Sequence, residues 1–316
     1  MTRLLRVEAI RFLSRRAVLV LLALAIVIPV VIGFATVRNT APPGADELAQ
    51  AKEQIQQTLD DCAQHPRRYG IKDAADPAAT CEKRMHLRVE DYAWYEPLSL
   101  GDERKNGSGV AVVVLLGILM LLAGATFAGY DWASGSMSNQ LLFETRRLRI
   151  WAAKAVVVTA AAAVVSAVVL AAYWLVLARV ADHRDITTPP GVLSSCLQSG
   201  WRGAAVIGGA ALGGYALTML FRSTVASLGI LLAVVAAGGV VLAAVGIESA
   251  WNPGLNLLAV VLDGTTYYKD VPCEGGGGTC STQVPLSLLH GLVFTGTLLV
   301  LAVGGSLTSF RTRDVP

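Results

Sequence analysis

The chain has few charged residues, and long stretches of it have none. Asp, Glu, Lys and Arg make up 16% of the 316 residues, whereas a soluble domain carries about 25%. Six runs lack all four residue types, and each is long enough to cross about 30 Å of hydrocarbon as a helix. The mean hydropathy of +0.55 agrees with this pattern. The composition therefore indicates an integral membrane protein.

The six runs predict six transmembrane helices, because lipid offers no hydrogen-bond partner to an open backbone. The first run has an arginine-rich flank, as a signal peptide does. However, its apolar stretch is too long for a signal peptide, and no clear small-residue cleavage site follows. We therefore expect it to be retained as a span. The runs occupy residues 17–37, 109–128, 155–178, 203–221, 223–246 and 288–310.

Several motifs of membrane enzymes, pumps and carriers are absent from the sequence. It contains no GxxxxGK[ST] phosphate loop, no HExxH and no GxSxG, so we expect no ATPase, zinc protease or serine hydrolase site in this chain. None of the six runs carries a charge of the kind that marks ion-coupled carriers. Any energy for transport is therefore expected to come from a partner.

Basic residues in the short segments predict the orientation, because Lys and Arg concentrate on the cytoplasmic side. With six spans, the basic segments all fall on one side, and both termini are predicted to be cytoplasmic. Residues 38–108 hold ten basic and thirteen acidic residues; so long a segment crosses largely regardless of charge. The net charge of +3 is thus mainly a topology signal, with little support for nucleic-acid binding. The basic segments are residues 1–16, the loop 129–154, Arg222 and the tail 311–316.

The five cysteines fall in the predicted outside segments or at their edges, where disulfides form. We favour two pairs, Cys62 with Cys81 and Cys273 with Cys280, which leaves Cys196 unpaired. A bond from Cys196 to another cysteine stays open, because sequence does not fix connectivity. No paired CxxC or HxxxH spacing is present, so no metal site is predicted.

The segments between the spans have distinct patterns. Residues 1–16 alternate apolar side chains with arginines, which predicts an amphipathic interfacial helix; the alternative is a simple basic anchor. Residues 38–108 predict an extracellular helical insertion, with helices over 45–62 and 77–91. Residues 179–202 form a short outside loop. Residues 247–287 predict a re-entrant outer element and a Gly-rich loop, because nine apolar residues (254–262) cannot cross as a helix.

The cytoplasmic loop 129–154 is the most informative segment. It begins with an acid, continues with Gly135-Ser136 and apolar residues, and ends with a basic cluster and Ala-Lys before the third span. This pattern, together with the layout of the whole chain, resembles the ABC-2 type exporter permeases. Asp131 stands where that family commonly has Glu, and Lys154 matches its closing lysine. The long segment 38–108 departs from the family, since many members have a short one.

The resemblance implies an all-α membrane subunit of a bacterial ABC exporter, located in the cytoplasmic membrane. A second permease copy or a paralogue would complete the pathway. Two separate ATP-binding subunits would carry ATP and Mg²⁺, and this chain would bind no cofactor. Apolar, aromatic-poor spans favour an amphiphilic or lipophilic cargo: a drug, antibiotic, peptide or lipid. The implied ATPase-coupling residues are Asp131, Ser134, Gly135, Ser136, Met137, Gln140, Leu141, Phe143, Arg146 and Arg147.

Two other classes of function are compatible with a membrane protein of this length. A membrane-embedded protease or lipid transferase would need a nucleophile with a base, or paired carboxylates, in or beside the spans, and the sequence indicates neither. A non-transporting sensor would use the outside insertion to bind a ligand. Association with an ATPase distinguishes the exporter from both.

Overall fold

A computed structural model gives the fold, and the structure describes residues 2–71, 76–93, 95–144, 146–233, 249–273 and 279–313. The chain is mostly helical and divides into two compact units. The larger unit joins residues 1–33 to residues 100–316, and the smaller comprises residues 34–99. Within the described residues, five helices are long and apolar enough to cross a membrane. These are the features of a membrane-embedded, mainly helical protein.

Thirteen helices and one hairpin make up the described residues, and we number them in chain order. Two further 3₁₀ turns lie at Pro66–Tyr69 and Ser249–Trp251. The strands are β1 (Thr265–Pro272) and β2 (Thr279–Leu286). The helices are α1 (Thr2–Ser14), α2 (Arg16–Asn39), α3 (Ala45–Gln64), α4 (Pro77–Met85), α5 (Val89–Tyr92), α6 (Leu100–Lys105), α7 (Ser108–Ala133), α8 (Ser136–Phe143), α9 (Arg147–His183), α10 (Val192–Phe221), α11 (Thr224–Ala233), α12 (Pro253–Leu262) and α13 (Leu288–Thr312).

Five of the six predicted spans fall within α2, α7, α9, α10 and α13, and several of these helices run well past the apolar residues. The largest extension is at the start of α10, which begins at Val192, about three turns before its apolar run starts at residue 203. α9 begins at Arg147, two turns before its apolar run starts at residue 155. Of the sixth predicted span, 223–246, the structure describes only the part that contains α11; residues 234–246 lie outside the described residues. The sixth span therefore stays a prediction.

The centre of the larger unit is α10, which packs against α7, α9 and α13. The contact between α7 and α10 is made by backbone. A Cβ at Gly124 would clash with the carbonyl oxygen of Ala211, and one at Gly214 would clash with that of Leu121. Glycine is required at both positions because any side chain would push the two helices apart.

The glycines of α10 also approach α13. A Cβ at Gly209 would lie 3.6 Å from a methyl carbon of Leu299, and one at Gly213 would lie 3.9 Å from the same side chain. These are ordinary van der Waals distances. These glycines of α10 are thus used for packing within this chain.

The element between α11 and α13 contains the short helix α12. Asn252 caps it, because its side-chain oxygen accepts hydrogen bonds from the N–H groups of Gly254 and Leu255. Ten residues are too few to cross the bilayer as a helix. Entry of α12 into the membrane stays a prediction.

The all-α prediction did not include the hairpin that follows α12. β1 and β2 pair antiparallel with Thr265 opposite Leu286, and the disulfide between Cys273 and Cys280 closes the end of the hairpin. Thr and Tyr dominate the start of β1, and both residue types favour strands. The sequence interpretation weighted the glycines of this segment instead.

The smaller unit is helical and is built around a disulfide. Cys62 in α3 bonds to Cys81 in α4, and both are fully buried together with Ile71. Asp76 caps α4 by accepting hydrogen bonds from the N–H groups of two residues in its first turn. Both disulfides are the pairs that the cysteine positions favour, and Cys196 is free and buried in α10.

Candidate functional site

The loop that the sequence singles out contains a short helix, α8, between the ends of α7 and α9. The chain leaves α7 at Ala133 and reverses at Gly135, which has a φ of +67°. A Cβ there would meet nothing within 4 Å, so glycine is favoured by the left-handed backbone and not by crowding. α8 then runs to Phe143, and α9 begins four residues later at Arg147.

Asp131, on the last turn of α7, is fully buried and forms the centre of the site. One carboxylate oxygen accepts a hydrogen bond from the ammonium of Lys154 at 2.5 Å. The other accepts from the hydroxyl of Ser136 at 2.8 Å and from the guanidinium of Arg15 at 2.9 Å. Asp131 of α7 is therefore bonded to Ser136 of α8, to Lys154 of α9 and to Arg15, which follows α1.

A second carboxylate, Glu8, reaches the same lysine from α1. Its Oε2 accepts from the Lys154 ammonium at 2.7 Å, and its Oε1 accepts from Arg11 at 3.2 Å. Arg11 also lies 3.4 Å from Asp131. Glu8, Arg11, Arg15, Asp131 and Lys154 thus form one group, which we name the ion cluster. Buried charges persist only with partners of this kind, and the Lys154 side chain has no exposed surface.

Aromatic rings of α1 and α7 lie against the ion cluster. Phe12 of α1 and Phe127 of α7 pack edge to face, with their centroids 5.2 Å apart. The Lys154 ammonium lies 5.0 Å from the centre of the Phe127 ring, and the Arg15 guanidinium lies 3.6 Å from that of Tyr130. Both distances are in the range of cation–π attraction. The rings add to the packing of α1 against α7.

The start of α9 is also tied to the end of α13. Arg147 donates hydrogen bonds to the backbone carbonyls of Phe310 at 3.3 Å and Arg313 at 2.9 Å. A cation suits the carbonyls that a helix leaves unpaired at its C-terminus. One turn further on, the indole N–H of Trp151 donates to the hydroxyl of Ser306 at 3.0 Å. The base of the loop is therefore fixed to α1, α7, α9 and α13.

The predicted coupling residues divide into an inward and an outward set. Asp131, Ser136 and Met137 face the protein, and Met137 is only 1% exposed. Gln140 and Leu141 are half-buried, and the amide of Gln140 donates to the carbonyl of Ser136. Arg147 is half-buried against α13. The exposed members are Ser134, Gly135, Phe143 and Arg146.

Two large apolar side chains are exposed at the last turn of α8: Phe143, a predicted coupling residue, and its neighbour Leu142. Leu142 is 78% exposed and Phe143 is 93% exposed. Within the larger unit they stand next to polar and basic residues of the loop. This end of α8, Leu142 with Phe143, is named the α8 tip.

Sequence reasoning missed the part of the site that α1 provides. The sequence predicts only an orientation signal and an interfacial helix from the arginines of residues 1–16, whereas in the structure Arg11 and Arg15 bind Asp131. Glu8 was not singled out. One signal was available: Glu8 is the only acid among those sixteen residues, and it lies on a predicted amphipathic helix.

The charged groups of the ion cluster bond α1, α7 and α9 to one another. Three cations and two carboxylates leave one net positive charge, and each charged group of the ion cluster has a partner. Across the described ranges, no group of three or more His, Cys, Asp or Glu side chains could hold a metal ion.

Comparisons of the chain with family models, with curated proteins and with solved structures gave no match. The likeness to exporter permeases therefore stays a prediction from the sequence.

Proposed function

We propose that this chain is the membrane-spanning subunit of an ATP-driven exporter of the ABC-2 permease type, in a bacterial cytoplasmic membrane. The observation that carries the proposal is the α8 tip, where Leu142 and Phe143 are almost entirely exposed. Paired large apolar side chains on a polar loop favour a protein interface, because an aromatic anchor gains most when a partner buries it. In this proposal the α8 tip docks on a separate ATP-binding subunit.

The ion cluster supports a mechanical role for α8. Ser136, the first residue of α8, donates to Asp131, and Asp131 is bonded to Lys154 of α9 and to Arg15 beside α1. A displacement of α8 therefore acts on three helices through short, charge-assisted bonds, which are stronger than neutral ones. Arg147 extends the connection to α13.

The membrane helices leave room for a second copy. In the most apolar 18-residue stretch of each helix, half of the residues are buried within the chain for α7 and α10. The buried share is only 17% for α2 and 6% for α13. The faces of α2 and α13 are thus available to lipid or to another subunit. Two permeases, as a homodimer or with a paralogue, would form the pathway with two ATP-binding subunits. ATP binding would close the ATPase dimer and push both α8 helices, which converts the pathway between its inward and outward forms.

The cargo proposed from the spans is amphiphilic or lipophilic. The five described span helices present mainly Val, Leu, Ala and Gly, and such walls offer contact to apolar molecules without fixed charges. A drug, an antibiotic, a peptide or a lipid would fit this class.

Co-purification with the ATP-binding subunit encoded beside its gene tests the proposal. We expect wild-type chain and ATPase to form a complex, and Phe143→Ala to weaken it at least about tenfold, as for an interface anchor. Leu148→Ala is the matched control, since Leu148 is a half-exposed apolar residue at the start of α9. The proposal fails if the wild-type chain never associates, or if Phe143→Ala and Leu148→Ala bind equally well.

Transport itself is measured in membrane vesicles that contain both subunits. ATP-dependent movement of an amphiphilic dye, reduced by Phe143→Ala and unchanged by Leu148→Ala, is the expected result. Binding of the ATPase without any ATP-dependent transport would contradict the exporter assignment while keeping the docking interface.

A further inference from the structure

An apolar groove lies between α1 and α9, and Phe12, which packs against Phe127 beside the ion cluster, is one of the residues that line it. Its volume is about 500 Å³, within the range of small-molecule sites. Leu5, Ala9 and Leu13 form one wall, and Val156, Ala160 and Val164 form the other. Arg6 is the one charged residue that lines it.

The groove is open on the surface of a membrane-crossing helix. Val156 is 51% exposed and Val164 is 62% exposed. With Ala160 between them, these residues are spaced four apart and lie on one face of α9. The small side chain of Ala160 leaves a hollow between two valines. Because α9 is a candidate span, this face is covered by hydrocarbon, and an extended acyl chain matches the hollow.

The charge at the groove is positive and has no acid against it. Arg6 is exposed, as is Arg3 one turn earlier. Among the described residues no ion pair involves either of them, whereas Arg11 and Arg15 are engaged in the ion cluster. A guanidinium binds a phosphate through two parallel hydrogen bonds. The position of Arg6 at an apolar groove thus fits a ligand with a negative head and an apolar tail.

The outer face of α1 agrees with an interfacial position. Val7, Ile10 and Leu13 are all more than half exposed, and they alternate with Arg3 and Arg6 on that face. Exposed apolar and basic side chains on one helix are typical of a helix lying at the headgroup boundary. At that depth, Arg6 is level with lipid phosphates and the groove wall of α9 is level with the chains.

We propose that this groove is a binding site for an anionic glycerophospholipid. One acyl chain lies against Val156, Ala160 and Val164, and the phosphate binds Arg6. Elsewhere on α1, Glu8 accepts a hydrogen bond from Lys154, which joins α1 to α9. A lipid in the groove therefore packs α1 onto α9 beside the ion cluster. The site requires that α9 cross the membrane and does not depend on export or on an ATPase.

Native mass spectrometry of the detergent-purified chain tests the site, with dioleoyl phosphatidylglycerol and dioleoyl phosphatidylcholine as the two probes. We expect the anionic lipid to be retained at lower concentrations than the zwitterionic one. Arg6→Ala should weaken binding of phosphatidylglycerol about fivefold, the effect of one basic residue at an anionic headgroup. Arg6→Lys should retain most of the binding, because it keeps the charge.

Two further variants separate the groove from general lipid contact. Ala160→Trp fills the hollow and should abolish retention of phosphatidylglycerol. Arg179→Ala removes an exposed arginine near the far end of α9 and should leave it unchanged. The proposal is overturned if both lipids are retained equally, if neither is retained, or if Arg6→Ala and Ala160→Trp match Arg179→Ala.

Discussion

Lys154 is held between two carboxylates in a site without water access. Its ammonium is 2.7 Å from Glu8 and 2.5 Å from Asp131, and its side chain is 0% exposed. Removal of such a partner leaves buried charge uncompensated, which costs more than removal of a whole pair. The family resemblance picked out Lys154 by position, and the structure supplies a physical reason for a lysine there.

Lys154→Met is predicted to lower the free energy of unfolding by about 3–5 kcal/mol, because Glu8 and Asp131 then lose their shared cation. Denaturant titration in detergent micelles measures this change. Arg149→Ala, which removes an exposed arginine of the same helix, should change it by less than about 0.5 kcal/mol.

A double-mutant cycle with Glu8→Gln isolates the ion pair. The double variant should be less destabilised than the sum of the two single changes by at least about 1 kcal/mol, since Glu8 and Lys154 are in direct contact. Additive effects would show that the two groups do not stabilise one another.

Asp61 and Tyr69 give the smaller unit a pH-dependent contact. The phenol of Tyr69 donates to the Asp61 carboxylate at 2.7 Å. This bond, with His65 and Arg68 nearby, lowers the pKa of Asp61 below its ordinary value of 3.8, and the same bond raises the pKa of Tyr69 above 10.0. The contact therefore makes its full contribution to the stability of the fold at pH values between the ordinary pKa of Asp, 3.8, and that of Tyr, 10.0. Its contribution is lost as pH falls through the lowered pKa of Asp61 or rises through the raised pKa of Tyr69.

Tyr69→Phe is predicted to move the pKa of Asp61 back toward 3.8, because the largest cause of the shift is removed. Carboxyl-carbon NMR of the chain labelled at aspartate measures the titration. Tyr92→Phe is the control, since the Tyr92 hydroxyl contacts Thr58 instead. An unchanged Asp61 titration in Tyr69→Phe would contradict the contact.

At the scale of elements, α7 and α10 touch along glycines. Gly124 faces the carbonyl of Ala211, and Gly214 faces that of Leu121. Because lipid tails are as apolar as the side chains, the hydrophobic effect does not hold helices together within the membrane. Close van der Waals packing is then a main source of attraction between them. The sequence alone does not predict this contact, because one sequence does not reveal which helices pack against each other.

Gly124→Ala is predicted to destabilise the chain by about 1–3 kcal/mol, because its Cβ has no space and α7 must move. Gly117→Ala is a matched change on the same helix: a Cβ at Gly117 meets nothing within 4 Å. That variant should be neutral or more stable by up to about 1 kcal/mol, since alanine favours the helix. Thermal unfolding of the two variants in detergent is the comparison, and equal midpoints would contradict the backbone contact.

The sequence largely predicted which helices are present, but it did not predict the residues at which they begin and end. Five apolar runs correspond to helices because burial in lipid requires backbone hydrogen bonds within each segment. α9 starts two turns before its apolar run, since Lys154 and Trp151 find partners in other helices. The hairpin was missed because the glycine-rich sequence between the strands outweighed the strand-favouring Thr and Tyr residues of β1.

At the scale of the whole molecule, the sequence predicts that residues 38–108 are extracellular and that the loop 129–154 is cytoplasmic. The native cysteines leave a low background for labelling, because four are in disulfides and Cys196 is buried. Labelling of an introduced cysteine therefore shows on which side of the membrane that residue lies.

Gln50→Cys in α3 and Asn139→Cys in α8 both place a thiol at an exposed position. A membrane-impermeant maleimide should label Gln50→Cys in intact cells and Asn139→Cys only after permeabilisation, because basic loops stay cytoplasmic. Labelling of Asn139→Cys in intact cells would reverse the topology and remove α8 from the reach of a cytoplasmic ATPase.

The sequence by itself determined that this protein is helical and membrane-embedded, because charge-free runs of this length have no other stable solution. It also indicated the segment around α8 and the disulfide pairs. Only the tertiary structure decided that Glu8, Arg11 and Arg15 meet Asp131 and Lys154. Residues more than a hundred positions apart in the chain come together there, and no local pattern encodes such a meeting. Burial then requires each charge to have a partner, which converts a basic N-terminal helix into part of the site.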